Sequence, residues 1–247
     1  MSITVIIAAM HRELQPFVQG WNQVSLEYKG HKFQGFETNR APGEKLVAVV
    51  SGMGCELARL AAKAAVGSYK PRVLASVGLA GALMPSLKVG NVITPNVIIN
   101  GATGEQYRCA FGQGVVVGGG IIVSAGDVAG LEAKQALVKR FHALAVDMEA
   151  AGVAEVADQE QIFFRCVKVI SDEAGFAMPP MGDFVNDRGE FQTGRFLGWA
   201  GVRPAVWPTV LELGRNSRRA VRALCDWLKK DGFEDVASGP VVKLQPV

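Results

Sequence analysis

Three carboxylates in this sequence stand at or just past the end of an apolar run: Glu13 after Ile3–Ala8, Glu149 after Leu144–Val146, and Asp172 after Phe163–Ile170. Two carboxylates across a labile bond are the general arrangement for glycoside cleavage, one protonating the leaving group and the other activating the nucleophile. An ionised glutamate only accepts hydrogen bonds, so it can also hold two vicinal hydroxyls at once. Two of the positions have a plainer reading. Glu149 could simply favour the positive end of the helix that follows it, and Asp172, in a Ser-Asp pair, could be an N-cap. No Ser-His-Asp set is visible. The three histidines, His11, His31 and His142, are too scattered for a metal site, so none is expected.

These carboxylates meet only if the elements carrying them share one sheet. Ile3–Ala8 is a continuous apolar run of the buried-strand type, Leu46–Val50 another buried strand, Val73–Val77 a fourth strand and Phe163–Ile170, which includes Arg165 and Lys168, the last. Cys55–Tyr69 and Ala150–Ala157 are helix-prone, and Ser124–Asp127 is read as opening a helix to about Phe141. Leu26–Phe36 is hairpin-like, and a polar loop from Thr38 to Lys45 is expected before the next strand. Alternating strands and helices imply a single α/β domain over residues 1–247, a central mixed sheet flanked by helices, with ligands at the strand carboxyl ends. Ser51-Gly-Met-Gly54 between strand and helix is either an anion cradle or a tight turn. After Phe176 the texture changes to a proline-broken, aromatic-rich stretch. It ends in an amphipathic helix over about Arg218–Lys230, with Asn216 or Ser217 as N-cap, and the tail after Gly232 is expected to be loosely ordered.

Hydrophobic residues at 49% against charged ones at 20% argue for a globular chain with a well-buried core. A net charge of +3 gives no case for nucleic-acid binding, yet the charge is uneven. Arg195–Lys230 holds eight basic and two acidic residues, +6, so the rest of the chain sums to −3. Cys55, Cys109, Cys166 and Cys225 are widely spaced, which suggests neither disulfides nor zinc and fits a reducing cytoplasm. No signal peptide is read at the N-terminus. The uncharged stretch Cys109–Gly126 is too glycine-broken for a membrane span. The expectation is a cytoplasmic protein, with a peripheral place at the inner membrane open for the basic segment 195–230.

Together the motifs resemble the nucleoside phosphorylase/nucleosidase superfamily, especially its methylthioadenosine/S-adenosylhomocysteine nucleosidase branch. The matching segments are Ala9-Met10 with Glu13, Val50–Gly54, Gly78–Ala82 with Leu87–Gly90, Gly126-Asp127, Val146–Ala150 and Val169–Ala174. The resemblance implies that Asp172, beside Ser171, protonates N7 of a purine. It implies that Glu149 with Met148 binds the ribose hydroxyls, that Glu13 activates water, and that Ala80 and Gly81 line the ribose and nucleophile side. It implies no cofactor and a homodimer or larger assembly. Departures concern the nucleophile and the base: Leu79 replaces a serine, Lys168 an arginine, and Val128 or Ala129 the aromatic that stacks on adenine. Water and phosphate therefore both stay open, with Lys168, Arg12, His11 and Arg40 as candidate contacts to a phosphate co-substrate.

The region after Asp172, including Phe191–Phe196, Arg203-Pro204, Trp207-Pro208 and Gly214–Arg219, resembles the hopanoid-biosynthesis-associated phosphorylases, which are thought to remove adenine from adenosylhopane. That implies a purine nucleoside with a lipid 5′ substituent, an apolar wall to receive it, and a basic edge facing an anionic bilayer. The same aromatics could instead form a satellite core or a subunit interface. Methylthioadenosine/S-adenosylhomocysteine nucleosidase, futalosine hydrolase and a non-catalytic nucleoside- or lipid-binding module are the alternatives.

Overall fold

The computed structural model describes residues 2–110, 120–186, 188–231 and 243–244. In chain order these form β1 (Ser2–Ala8), α1 (His11–Leu14), β2 (Asn22–Tyr28), β3 (His31–Ala41), β4 (Glu44–Val50), α2 (Cys55–Tyr69) and β5 (Val73–Ala82). There follow β6 (Val92–Ile93), β7 (Val97–Asn100), β8 (Gln106–Arg108), β9 (Ile121–Ser124), α3 (Leu131–Phe141), β10 (Ala145–Asp147), α4 (Ala150–Gln159) and β11 (Phe163–Asp172). Last come α5 (Thr193–Gly201), α6 (Trp207–Asp231) and the short β12 (Lys243–Leu244). The chain is one α/β unit around a central mixed sheet, as expected.

Its hub is β5. The first half of this strand runs parallel to both β1 and β11, while Gly81 and Ala82 at its end pair antiparallel with β10. The sheet therefore divides around one strand, which draws the ends of β1, β5, β10 and β11 together. The apolar runs are continuous because both faces are covered. Val5 and Ile7 of β1 point into a core shared with α2 and α4, whereas Ile6 and Ala8 pack with Ala220, Leu224 and Leu228 of α6.

Several boundaries differ from those the sequence suggests. The segment expected as a polar loop from Thr38 to Lys45 is mostly strand, because β3 and β4 pair antiparallel from Gln34 through Ala41 and satisfy that polar backbone. Residues Ser124–Asp127 do not open a helix; α3 begins at Leu131, after Gly130. The fourth strand does not stop at Val77 but continues through two glycines to Ala82. The final helix starts at Trp207, so Asn216 and Ser217 are interior residues and not N-caps. Pro208 belongs to its first turn, where a missing N–H is tolerated. Most of the tail after Gly232 lies outside the described residues, while β12 pairs with β8.

Within 176–207 the aromatics gather. Phe184 and Phe196 lie 5.3 Å apart edge-on, with Phe191 5.5 Å from Phe196 and Trp199 5.8 Å from it. Phe184 and Phe196 are buried. The insert is thus a satellite core that closes over the strand ends.

Candidate functional site

The strand ends border a cavity of about 630 Å³, a volume within the range of small-molecule sites. Glu13, Glu149 and Asp172 all line it, with Met148, Ala80, Gly81, Ser171, Val128 and Arg12. Lys168 and Arg40 are not in its wall. Three carboxylates distant in the chain are therefore brought together, and each is held by a different device.

Glu13 lies in the single turn of α1, and its Oε2 accepts the N–H of Met10 at 3.1 Å. The turn can press against β5 because Gly78, at φ +147°, carries no side chain; a Cβ there would stand 3.3 Å from Glu13 Oε2. Burial pushes the Glu13 carboxyl above its ordinary value, against the opposing pull of Lys168, the Met10 N–H and Arg12.

Glu149 is the residue preceding α4, yet it does not cap that helix. Asp147 does: its Oδ2 accepts the N–H of Ala150 at 2.8 Å, its Oδ1 accepts Ser124 Oγ at 2.6 Å, and Ser124 Oγ in turn accepts the N–H of Ala151 at 2.9 Å. Glu149 is left free to turn toward the cavity, where Oε1 accepts the N–H of Gly54 at 3.1 Å. Its carboxyl is pushed up to about 7, first by burial and then by Asp147 and Glu13, with Lys168 and the Gly54 N–H opposing. The Gly-x-Gly segment thus donates to a protein carboxylate.

Lys168, with 0% of its side chain exposed, lies beneath these groups, its ammonium 2.7 Å from Asp147 Oδ2 and 3.9 Å from Glu149 Oε2. Burial by itself would lower the lysine, but the two carboxylates outweigh it and hold it above its usual value. Suggested by the sequence as a phosphate contact, it is instead committed to these carboxylates. Neither Arg40, near the end of β3, nor His11 lines the cavity, and of the four candidate contacts Arg12 is the one that does.

Asp172 is aimed by an irregularity that periodicity cannot foresee. Opposite β5, Ile170 pairs with Ala80 but Asp172 pairs with Gly81, so Ser171 is the extra residue of a bulge. A bulge of this kind re-aims the following side chain. Glycine at 81 makes room, since a Cβ there would sit 2.9 Å from Asp172 Oδ2. Ser171 Oγ lies 2.8 Å from Asp172 Oδ1. The other oxygen meets Lys134 Nζ at 2.5 Å. This buried lysine of α3 was not anticipated, and an Ala-Lys-Gln setting 38 residues before Asp172 offers no local signal for it.

The remaining wall is mostly apolar: Met178, Met181, Phe191, Phe196, Leu197, Val210 and Leu211 come from the insert, α5 and α6, with Thr193, Ser217, Arg218 and Arg222 of the same helices among them. Among the described residues no group of three or more His, Cys, Asp or Glu could hold a metal ion. The site thus joins a carboxylate floor to a greasy wall.

A phosphorylase superfamily profile matches residues 3–112 and 109–193. The chain belongs to the phosphorylase superfamily. A 5′-methylthioadenosine/S-adenosylhomocysteine nucleosidase of Staphylococcus aureus (strain JH9) is 28% identical over 197 residues, covering 68% of this chain and 86% of that protein. Among solved structures, a 5′-methylthioadenosine nucleosidase of Arabidopsis thaliana superposes with TM-score 0.72 at 17% identity, covering 93% of this chain and 94% of the other. A futalosine hydrolase of Helicobacter pylori superposes with TM-score 0.68 at 16% identity, covering 92% and 96%. At such identities these structures support the superfamily's fold alone. The superfamily profile ends at residue 193, where α5 begins, so the wall from α5 and α6 lies beyond it.

Proposed function

We propose that this enzyme hydrolyses the N-glycosidic bond of a purine nucleoside, releasing adenine, and that its substrate carries a large apolar 5′ substituent. One observation carries the reading: Glu13, Glu149 and Asp172 open on one cavity whose opposite wall is built from Met, Phe, Leu and Val side chains. In this reading Asp172 delivers a proton to N7, so that the base departs neutral. Glu149, beside Met148, accepts from the ribose 2′ and 3′ hydroxyls. As C1′–N9 stretches toward an oxocarbenium ion, Glu13 takes a proton from the attacking water; burial raises its carboxyl above the ordinary value, which makes it a stronger base for that role. Fixed carboxylates beside the developing cation stabilise it electrostatically. Water is read as the nucleophile because Glu13 and Glu149 line the cavity and the charge of Lys168 is taken up by Asp147 and Glu149; Arg12, Arg218 and Arg222 also line it, so the phosphate arm of the test below decides between the two.

The apolar wall reaches the surface. Leu197 and Leu211 line the cavity and are also exposed, and Val202 (76% exposed) and Trp207 lie near them. Arg195, Arg203 and Arg218 belong to the same two helices and the link between them. Such a rim suits contact with an anionic bilayer from which a lipid nucleoside, adenosylhopane by the sequence resemblance, would enter. A second reading, cleavage of methylthioadenosine or another soluble nucleoside, is favoured by the Staphylococcus relative.

The test is to incubate the protein with adenosylhopane and with methylthioadenosine, each with and without phosphate, and to identify base and sugar products. Adenine and a free sugar from the lipid nucleoside, independent of phosphate, are expected. A sugar 1-phosphate would overturn hydrolysis, preference for methylthioadenosine would overturn the lipid substrate, and no base from either would overturn nucleoside cleavage.

A further inference from the structure

Lys134 occupies a position that helix electrostatics and burial both disfavour. It is the fourth residue of α3, its N–H closing the first turn onto Gly130 O at 2.9 Å, and cations are unfavourable at that end of a helix. It is also buried, which is expensive for an ammonium without a partner. Its Nζ meets Asp172 Oδ2 at 2.5 Å and Glu173 O at 2.9 Å. Its third N–H has no acceptor among the described residues, and the side chain borders the cavity. Asp172 Oδ1 lies 2.8 Å from the Ser171 hydroxyl. Both carboxyl oxygens of Asp172 are thus taken up by donors, so a proton passed on from Oδ2 must be replaced through its contact with Lys134 Nζ.

We propose that Lys134 supplies the proton that Asp172 hands to the base. The inference rests on the nucleoside-cleavage reading above. As the C1′–N9 bond stretches, its electron pair makes the departing base basic at N7, and a proton is drawn along the contact from Nζ through Oδ2. The Nζ–H bond breaks as Oδ2–H forms. Oδ2–H then breaks as N7–H forms, while the C1′–N9 electron pair leaves with the base. Water oxygen bonds to C1′ and loses a proton to Glu13. After release, Glu13 returns that proton to solvent and the Lys134 amine takes one up. Lys134 acts through Asp172, so it is a positioning residue that also holds the proton.

The test uses Lys134→Met and Lys134→Arg on two substrates: the purine nucleoside that the wild type cleaves, and p-nitrophenyl riboside, whose leaving group departs without protonation. Arginine keeps the charge and its hydrogen bonds to Asp172 but does not give up a proton. Both variants are expected to lose about 10²–10⁴-fold in kcat on the purine nucleoside, the usual worth of general acid catalysis. Their losses on the riboside are expected to be smaller by about tenfold or more on the same measure. Thermal melts identify folded protein, and the arginine variant, which retains the pair, decides the matter should the methionine variant unfold. Adenine release by Lys134→Arg within about threefold of wild type would reduce Lys134 to a charged prop and overturn the proposal. Equal losses on both substrates would overturn it too. A wild type that releases no base at all would instead overturn the functional reading itself.

Discussion

Two lysine–aspartate pairs lie beside the same cavity, Lys134 with Asp172 and Lys168 with Asp147, and their surroundings assign them different work. Asp147 is fully engaged: a helix N-terminus, the Ser124 hydroxyl and the Lys168 ammonium take up its oxygens, and both side chains of that pair are wholly buried. Asp172 is held by Lys134 and Ser171 but stands in the cavity wall, where a base could reach it. The same residue types are thus sealed beneath the site in one place and form part of its wall in the other. Asp147 also borders the cavity, so side-chain exposure separates the pairs: 0% for Lys168 and Asp147 against 4% for Lys134 and Asp172, and a wholly buried ion pair can only contribute to stability or specificity.

The sharpest way to break this distinction is Asp172→Asn, which keeps the shape but not the acid. Base release is expected to fall by about 10²–10⁴-fold with the thermal melt preserved. Unchanged turnover, measured as adenine released, would remove Asp172 from the mechanism.

Lys168→Met probes the other pair. It leaves two buried carboxylates facing each other without their cation, and unfolding in urea is expected to show a loss of about 3–5 kcal/mol. Wild-type stability in that variant would mean the foundation is not electrostatic.

A third effect concerns pH. The Glu149 carboxyl, about 7 in the folded protein, binds its proton more tightly there than in the unfolded chain. The stability it contributes is present below its ordinary value and is lost as pH rises through about 7. A decline of up to about 3 kcal/mol between pH 5 and 8 follows, at 1.36 kcal/mol per unit of separation. Glu149→Gln is expected to flatten it, and an equally steep decline in that variant would assign the titration elsewhere. The smallest effect lies at the rim: Arg195→Glu and Arg203→Glu are each expected to weaken binding to phosphatidylserine vesicles by about 1 kcal/mol, with binding reduced by salt. Salt-independent or absent association in the wild type would leave the rim as an interface between copies or as plain surface.

Much of the framework was legible locally. Cys55–Tyr69 reads as a helix to the residue, since glycine precedes it and its apolar spacing is regular. Val5–Ile7 reads as a strand buried on both faces because it is an uninterrupted hydrophobic run, whereas Val167–Ile170 reads as a strand despite Lys168, whose burial only the fold reveals. Strand periodicity likewise places Glu13, Glu149 and Asp172 near one edge. The start of α6 was misread because Pro204 and Pro208 look like breaks until the chain direction shows them entering a helix.

What the sequence by itself determined is the order of strands and helices and the carboxylates at their ends, because hydrophobic period and turn residues act over a few positions. Only the tertiary structure decided which charges pair. Gly54 meets Glu149 across 95 residues and Lys134 meets Asp172 across 38. Those distances close only when β5 draws the neighbouring strands together and the bulge at Ser171 turns Asp172 toward Gly81. A charge takes its role from the partner and the solvent it meets, and neither is written in its neighbours along the chain.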